Sequence, residues 1–244
     1  GQRLTTGLMA AGSVLGLSGA GLFLASGNAV SVQLKWQLPW GHFSAGMDAL
    51  SVVFLSLVFI IPLLGSVYGL EYWKQSEHPE NGKKLGIFFG LLAGSMALVV
   101  VARDSILFIV AWEIMALSAF FAATVEDDNS SVRQAGWVYL IATHIGTLCL
   151  FAMFILWSQF TGSFELNPVI TMSSKTAGTL FILALIGFGF KAGIMPLHVW
   201  LPGAHANAPS HVSAVMSGVM LKMGIYGIIR MTQLIPVTDI WWGS

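Results

Sequence analysis

The sequence predicts an all-α, polytopic transmembrane helix bundle of about seven spans, and three observations carry that reading. Of its 244 residues, 56% are hydrophobic and only 9% charged, whereas a soluble domain carries roughly 25% charged residues. Mean hydropathy is +0.79. The apolar residues gather into seven runs, each close to the ~20 residues an α-helix needs to cross roughly 30 Å of hydrocarbon. Polar or Gly/Pro-marked turns separate these runs.

Taken in order, the predicted spans are 5–26, 48–71, 84–102, 104–125, 132–160, 176–199 and 211–232. The first is apolar throughout, with no basic n-region of the usual kind, so it reads as a span rather than a cleavable signal peptide. As the chain begins at Gly1, a fragment of a longer protein is expected. EYWKQSEHPENGKK ends the second span, because Pro79, Asn81 and Gly82 break a helix and its charges cannot enter hydrocarbon. Arg103 and Asp104 mark a very tight connection between the third and fourth. VEDDNSSVR, from Val125 to Arg133, is a solvated turn; its Asn129-Ser130-Ser131 has the form of a glycosylation acceptor, a tripeptide common by chance. In the sixth span Gly187, Gly189 and Gly193 weaken the helix, and Pro196 removes the N–H that would satisfy the Ala192 carbonyl. A broken helix is expected there.

Trp36, Trp40, Tyr72, Trp73, Trp157, Trp200, Trp241 and Trp242 fall near run ends, as an interfacial aromatic belt would. A small excess of Lys and Arg in the amino-terminal-side loops favours a cytoplasmic amino terminus. Lys plus Arg and Asp plus Glu balance at 11 each, so charge offers nothing to nucleic acid. Cys149 is the single cysteine, which excludes a disulfide framework or a cysteine-built iron–sulfur or zinc site within the chain; packing is its expected role. No nucleophile motif or phosphate loop appears, so a stand-alone enzyme is set aside and no cofactor is expected.

Three ionisable residues lie inside otherwise apolar runs: Glu113 in SILFIVAWEIMALSAFFAATV, Lys191 in LFILALIGFGFKAG and Lys222 in HVSAVMSGVMLKMGIYGIIRM. A charge at the bilayer centre costs about 2.5–3.5 kcal/mol on insertion scales, and such residues usually mark ion or proton paths. Glu113 is too short and too central to reach an interface. Burial favours its neutral acid and a nearby ammonium its carboxylate, so a movable lysine would make it a switch. Lys191 sits beside the expected break, where irregular backbone is tolerated only against protein or a watery cavity; the competing reading is snorkelling. Lys222 follows His211 by eleven residues, almost three turns or roughly 16 Å, which would place both on one face with Ala214, Val215 and Gly218 between them. The competing reading is a small-residue stripe for helix packing.

His144 lies mid-span beside Thr143 and one turn from Thr147. It suits a proton relay, or a single interhelical hydrogen bond. His198, His205 and His211 crowd PLHVWLPGAHANAPSHVS; without cysteine or acidic ligands, and with three prolines interrupting the spacing, they read as the end of a proton wire and not as a metal site. His205, His198, Thr147 and Ser217 are candidates for a hydrated path.

WEIMALSAFF around Glu113, ATHIGT around His144 and GFGFKAGIMPLHVWLPGAHANAPSHVSAVMSGVMLKMGIYG from Gly187 to Gly227 give the chain its likeness to a known family. From about Met47 onward it resembles the antiporter-like proton-translocating membrane subunits of complex I, of multi-subunit Na+/H+ antiporters and of membrane-bound hydrogenases. The details are nearest to the hydrogenase-associated, formate hydrogenlyase type. The resemblance implies a larger fold of about fourteen helices with two inverted five-helix repeats, of which 84–232 would be the first unit and 1–83 the amino-terminal helices. It implies that Glu113 pairs with Lys191, that Lys222 continues the relay, and that His144 and His211 border it. It implies an integral protein of a bacterial or archaeal inner membrane, acting with other membrane subunits of a redox-driven hydrogenase or NADH-quinone oxidoreductase assembly. Two other readings stand beside it. One is a Na+/H+ antiporter subunit without a redox partner, with Glu113, Thr143, Thr147, Ser213 and Ser217 as its oxygen ligands. The other is a structural membrane scaffold.

Overall fold

A computed structural model describes residues 1–27, 30–36 and 41–236, and in it the chain is a helical bundle with one β-hairpin at one end. Trp40, Trp241 and Trp242 of the expected aromatic belt lie outside the described residues. The helices are α1 (Gln2–Ser26), α2 (Ala49–Tyr72), α3 (Asn81–Val101), α4 (Ser105–Ala123), α5 (Ser130–Thr161), α6 (Ser174–Ala192), α7 (Leu201–Asn207), α8 (Ser210–Val215) and α9 (Leu221–Leu234). A π-turn, Met216–Met220, joins α8 to α9 into one continuous rod. Among the described residues seven helices are long and apolar enough to cross a membrane, α8, the π-turn and α9 counting as one. The chain is an integral, multi-pass membrane protein.

Local chemistry sets most helix ends. Asp48 caps α2 by accepting from the Ser51 N–H, Asp104 caps α4 from Ile106 and Leu107, and Ser173 caps α6 from Thr176. Asn129 caps α5 by accepting from Ser131, which gives the NSS tripeptide a structural use. Gly162 ends α5 and Gly193 ends α6 in the left-handed conformation that glycine adopts without a Cβ clash. α4 is the most buried span and α1 the least. Leu4, Leu8, Leu15 and Leu22 on α1 are all exposed, as a helix bathed in lipid would be.

Four expectations need correction. The sixth span does not run to 199. It stops at Ala192, where the Gly193 and Ile194 N–H groups both turn back to the Gly189 carbonyl. The helix has therefore ended before Pro196 could kink it. Trp157 and Trp200 are fully buried, donating their indole N–H groups to the Glu165 and Phe190 carbonyls, and Trp73 is buried against His78. These three are core residues rather than an interfacial belt. The connection 27–48 is more than a loop. Val30–Leu34 (β1) and Phe43–Met47 (β2) pair antiparallel from Val30 opposite Met47 to Leu34 opposite Phe43, and β2 leans on the α3–α4 turn through the Arg103 N–H to the Ser44 carbonyl. Lastly, the π-turn between His211 and Lys222 absorbs about one extra residue, roughly 100° of rotation. The two do not share the face that an unbroken α-helix would give them.

Close helix crossings rest on glycine. A Cβ on Gly224 would lie 2.5 Å from both the Ala192 nitrogen and the Phe188 carbonyl oxygen, backbone atoms that cannot swing aside. Gly224→Ala should therefore push α9 off α6 at a cost of about 1–3 kcal/mol, the usual range for overpacking. Thermal unfolding of the purified protein measures it; an unchanged midpoint would mean that the crossing is looser than described.

Candidate functional site

The α6 break sets the site. Ending α6 at Gly193 leaves Lys191 on the last turn of a span whose far end is Ser174, so its side chain is delivered into the bundle and not to an interface. It is 1% exposed. Its ammonium donates to the Tyr139 hydroxyl at 3.0 Å and lies 5.2 Å from the Tyr139 ring centre and 5.9 Å from that of Trp112. Tyr139 in turn donates to the Ala116 carbonyl and touches the Met220 sulfur at 3.9 Å, so α4, α5, α6 and the π-turn meet at this one lysine. Snorkelling is thereby excluded for Lys191. Burial disfavours a charged group, and here one phenol oxygen and two ring faces are what the cation receives.

Glu113 makes no direct contact with Lys191. It follows Trp112 on α4, and one residue is a 100° step, so while Trp112 meets α6 through Phe188, Glu113 meets α5. Its Oε2 lies 3.4 Å from His144 Nε2, and its Oε1 is buried with no hydrogen-bond partner. Among the described residues no ion pair or hydrogen bond joins Glu113 or Lys222 to Lys191.

The Glu113–His144 geometry has a chemical consequence. His144 Nδ1 lies 2.9 Å from the Leu140 carbonyl, which can only accept, so Nδ1 carries a hydrogen. In the neutral ring Nε2 is then a lone pair facing a carboxylate oxygen, two acceptors with nothing between them. The contact is favourable only when one further proton sits on the imidazole or on the carboxyl.

Lys222 turns its ammonium back to the Ser217 carbonyl inside the π-turn, whose defining bond runs from the Leu221 N–H to the Met216 carbonyl. π-turns within α-helices are frequent at functional sites. Ser217 donates to the Ser213 carbonyl, and His205 Nδ1 meets the Ser213 hydroxyl at 2.8 Å; burial pulls the His205 imidazole below its usual value. His198, in the break, has an unpartnered Nδ1. Thr147 donates to the Thr143 carbonyl, and Thr143 to that of Tyr139, a hydroxyl ladder climbing α5 from the Lys191 site. His211 stands apart from Lys222, packed among Tyr72, Phe89 and Gly69 against α2 and α3. The structure thus gathers Lys191 with the unforeseen Tyr139 and Trp112, pairs Glu113 with His144, and links His205 through Ser213 to Ser217.

A second polar cluster lies at the hairpin end of the bundle. Asp48 receives both Nη atoms of Arg230, at 2.6 and 3.0 Å, and Arg103 at 3.2 Å. Burial alone would raise the Asp48 carboxyl, but the hydrogen bonds and charge of Arg230 outweigh it and hold the group well below the usual carboxylate range. Nearby Asp104 goes the other way: burial raises it, against N–H bonds from Leu107, His42 and Ile106.

Comparison with known proteins agrees with this architecture. Residues 102–244 match the profile of the family described as NADH:quinone oxidoreductase/Mrp antiporter, transmembrane. Hydrogenase-4 component B of Escherichia coli K12 is 33% identical over 237 residues, 95% of this chain and 35% of that protein. Formate hydrogenlyase subunit 3 of the same organism is 29% identical, over 87% of this chain and 34% of its own length. The chain therefore spans about a third of these relatives. Among solved structures, the Mrp complex from Dietzia sp. DQ12-45-1b superposes with a TM-score of 0.81 at 24% identity, over 98% of this chain and 29% of that one. Respiratory complex I from Thermus thermophilus gives 0.73 at 20% identity, over 94% and 48%. At these identities the two structures speak for the fold.

Proposed function

The chain belongs to the NADH:quinone oxidoreductase/Mrp antiporter transmembrane family, and on that premise we propose that it carries part of a proton path in an antiporter-like subunit of a redox-driven membrane complex. The observation that carries the reading is Lys191: a buried lysine at a broken transmembrane helix, held by one phenol and by no carboxylate. A purely structural lysine in that place would be stabilised by a fixed counter-charge.

In the proposed cycle, ionised Glu113 approaches Lys191 and stabilises its ammonium. When the two separate and Glu113 takes a proton with His144, Lys191 loses its partner and releases its own proton toward Lys222. The arrangement described above, with Glu113 on His144 and Lys191 on Tyr139, supports the separated half of this cycle. The π-turn supports a place for Lys222 next to the site, since Met220 within it touches Tyr139. Each charge moved against the membrane potential costs about 2.3 kcal/mol per 100 mV. The proposed source is redox chemistry in partner subunits, and the two hydrogenase relatives favour that source over a sodium gradient. The chain's share of its relatives accords with a partial path, completed by the second inverted repeat that the family resemblance implies.

The test uses the assembled, full-length protein in sealed vesicles with a pH-sensitive dye. Glu113→Gln, which keeps size and removes charge, is expected to slow proton uptake roughly ten- to a hundredfold, in keeping with the worth of a positioned acid–base group. Undiminished uptake at equal assembly would sink the relay. Proton movement that requires sodium in the same vesicles would select the antiporter reading instead.

A further inference from the structure

Lys222, Tyr226 and Arg230 recur every four residues on α9, a polar stripe that runs toward the hairpin end of the bundle. Tyr226 and Ser51 of α2 are fully buried. Their hydroxyls donate to the same atom, the Val100 carbonyl oxygen, at 2.7 and 3.2 Å, and Arg103 Nη1 reaches it as well, at 3.2 Å. Val100 lies in the last turn of α3, where carbonyls lack a partner within the helix, so its oxygen is open to side-chain donors. Guanidinium groups cover the oxygens of both hydroxyls in turn. Arg230 Nε and Nη2 donate to Tyr226 at 3.1 and 3.0 Å, while Arg230 Nη2 and Arg103 Nη2 donate to Ser51 at 3.1 and 2.8 Å.

We propose, resting on the relay through Lys222 put forward above, that Arg230 and Arg103 seal this end of the bundle against protons, so that a proton held at Lys222 has no exit along α9. A hydroxyl has one hydrogen and two lone pairs. In Tyr226 and Ser51 all three are engaged, the hydrogen by Val100 and the lone pairs by guanidinium. A group with no free lone pair cannot take up the proton that it would have to hand on. The guanidinium cannot hand one on either, since it offers donors alone and keeps them at any pH a protein survives. Asp48 is the next proton acceptor in the cluster, and its side chain, 40% exposed, already meets water. Between Lys222 and that water stand two saturated hydroxyls and two permanent cations. Lys222 itself turns the other way, to the Ser217 carbonyl.

Holding the helices together does not by itself require this arrangement. A bidentate fork from Arg230 to Asp48 already ties α9 to the start of α2. The remaining donors fill hydroxyl oxygens that would otherwise attract water. Without the Arg230 guanidinium, the vacated space would be bounded by the Tyr226 hydroxyl, the Ser51 hydroxyl and the Asp48 carboxylate, polar partners of the kind that hold a buried water. That water would complete a chain of proton-exchanging groups from α9 to the surface. Breaking the same ion pair from its other side has no such result. Asp48→Asn keeps a side-chain oxygen to cap α2 and leaves both guanidiniums on the hydroxyls.

The experiment uses the assembled, full-length protein in sealed vesicles with no electron donor, so that turnover is stopped, and with the membrane potential clamped by potassium and valinomycin. An enclosed pH-sensitive dye follows the decay of an imposed pH gradient. Arg230→Met is expected to hasten that decay roughly tenfold or more, since a connected proton-transfer group is worth about a hundredfold or above. Asp48→Asn is expected to decay at the parent rate, although both variants lose the ion pair and unfold at a lower temperature. Adding Lys222→Met to Arg230→Met should restore the parent rate. If Arg230→Met does not assemble, Arg103→Met takes its place; it bares one lone pair of Ser51, and a smaller leak, still above that of the parent, is expected. Leak in both Arg230→Met and Asp48→Asn would make the cluster a packing device, leak in neither would put the closure elsewhere, and leak that persists without Lys222 would enter by another route; each result overturns the seal. A tight Arg230→Met beside slowed uptake by Glu113→Gln during turnover overturns the seal and leaves the relay standing.

Discussion

Lys191→Met in the assembled complex is expected to leave membrane insertion intact and to slow proton translocation roughly a hundredfold or more, as for loss of a positioned acid–base group. Methionine is unbranched and of similar length, so it can occupy the same buried slot against Trp112 and Tyr139. Removing the ammonium takes an incompletely paired charge out of the interior, a change that is often neutral or stabilising. A fall in transport without a fall in stability is therefore the informative outcome. Tyr139→Phe separates the parts further. It keeps the lysine and both ring faces but deletes the single hydrogen-bond acceptor, and a partial loss, between the parent and Lys191→Met, is expected. Dye-monitored proton uptake in vesicles, beside thermal unfolding of the same preparations, provides both readouts. Full transport by Lys191→Met would remove the lysine from the path, whatever its burial.

The spans were legible because run length is a one-dimensional property: twenty apolar residues between polar turns need no knowledge of neighbours. The break after Lys191 was legible for the same reason, with Gly193 and Pro196 both in the local sequence, although the glycine and not the proline turned out to stop the helix. What the chain hid were matters of phase and partner. Nothing in MSGVM announces a π-turn, so the eleven-residue spacing of His211 and Lys222 was converted to a shared face by a regular helix that is not there. Trp157 and Trp200 sit near run ends as belt residues do, and only the backbone carbonyls they meet distinguish them. Tyr139, four residues before Thr143 and five before His144, was the one polar clue to the Lys191 site. The alternation Val30-Ser31-Val32-Gln33-Leu34 was the clue to the hairpin.

Arg230→Met is expected to destabilise the fold by about 2–3 kcal/mol, the second large effect. The 3–5 kcal/mol typical of breaking a fully buried pair is reduced here because water reaches Asp48, whose side chain is 40% exposed. Arg230 spreads its fork over four acceptors, one of them a 3.4 Å contact from Nη1 to the Gln233 side-chain oxygen. Two nitrogens go to Asp48, one of them shared with the Ser51 hydroxyl, and Nε and Nη2 go to the Tyr226 hydroxyl, which donates onward to the Val100 carbonyl at 2.7 Å. The entry to α2, the end of α3 and the last turns of α9 are thus tied at one place. Arg230→Lys should recover little, since a single ammonium cannot reproduce a planar bidentate contact. The pH dependence follows from the sign of the Asp48 shift. With the carboxyl held below its unfolded value of roughly 3.9, its contribution is fully present above that value and is lost as pH falls through the lower, folded one. The stability gap between parent and Arg230→Met should therefore stay constant from neutral pH to about 5 and narrow in stronger acid. Urea or thermal unfolding across that range tests it, and a gap that is absent at neutral pH, or unchanged in acid, would show that the cluster holds these helices by packing alone.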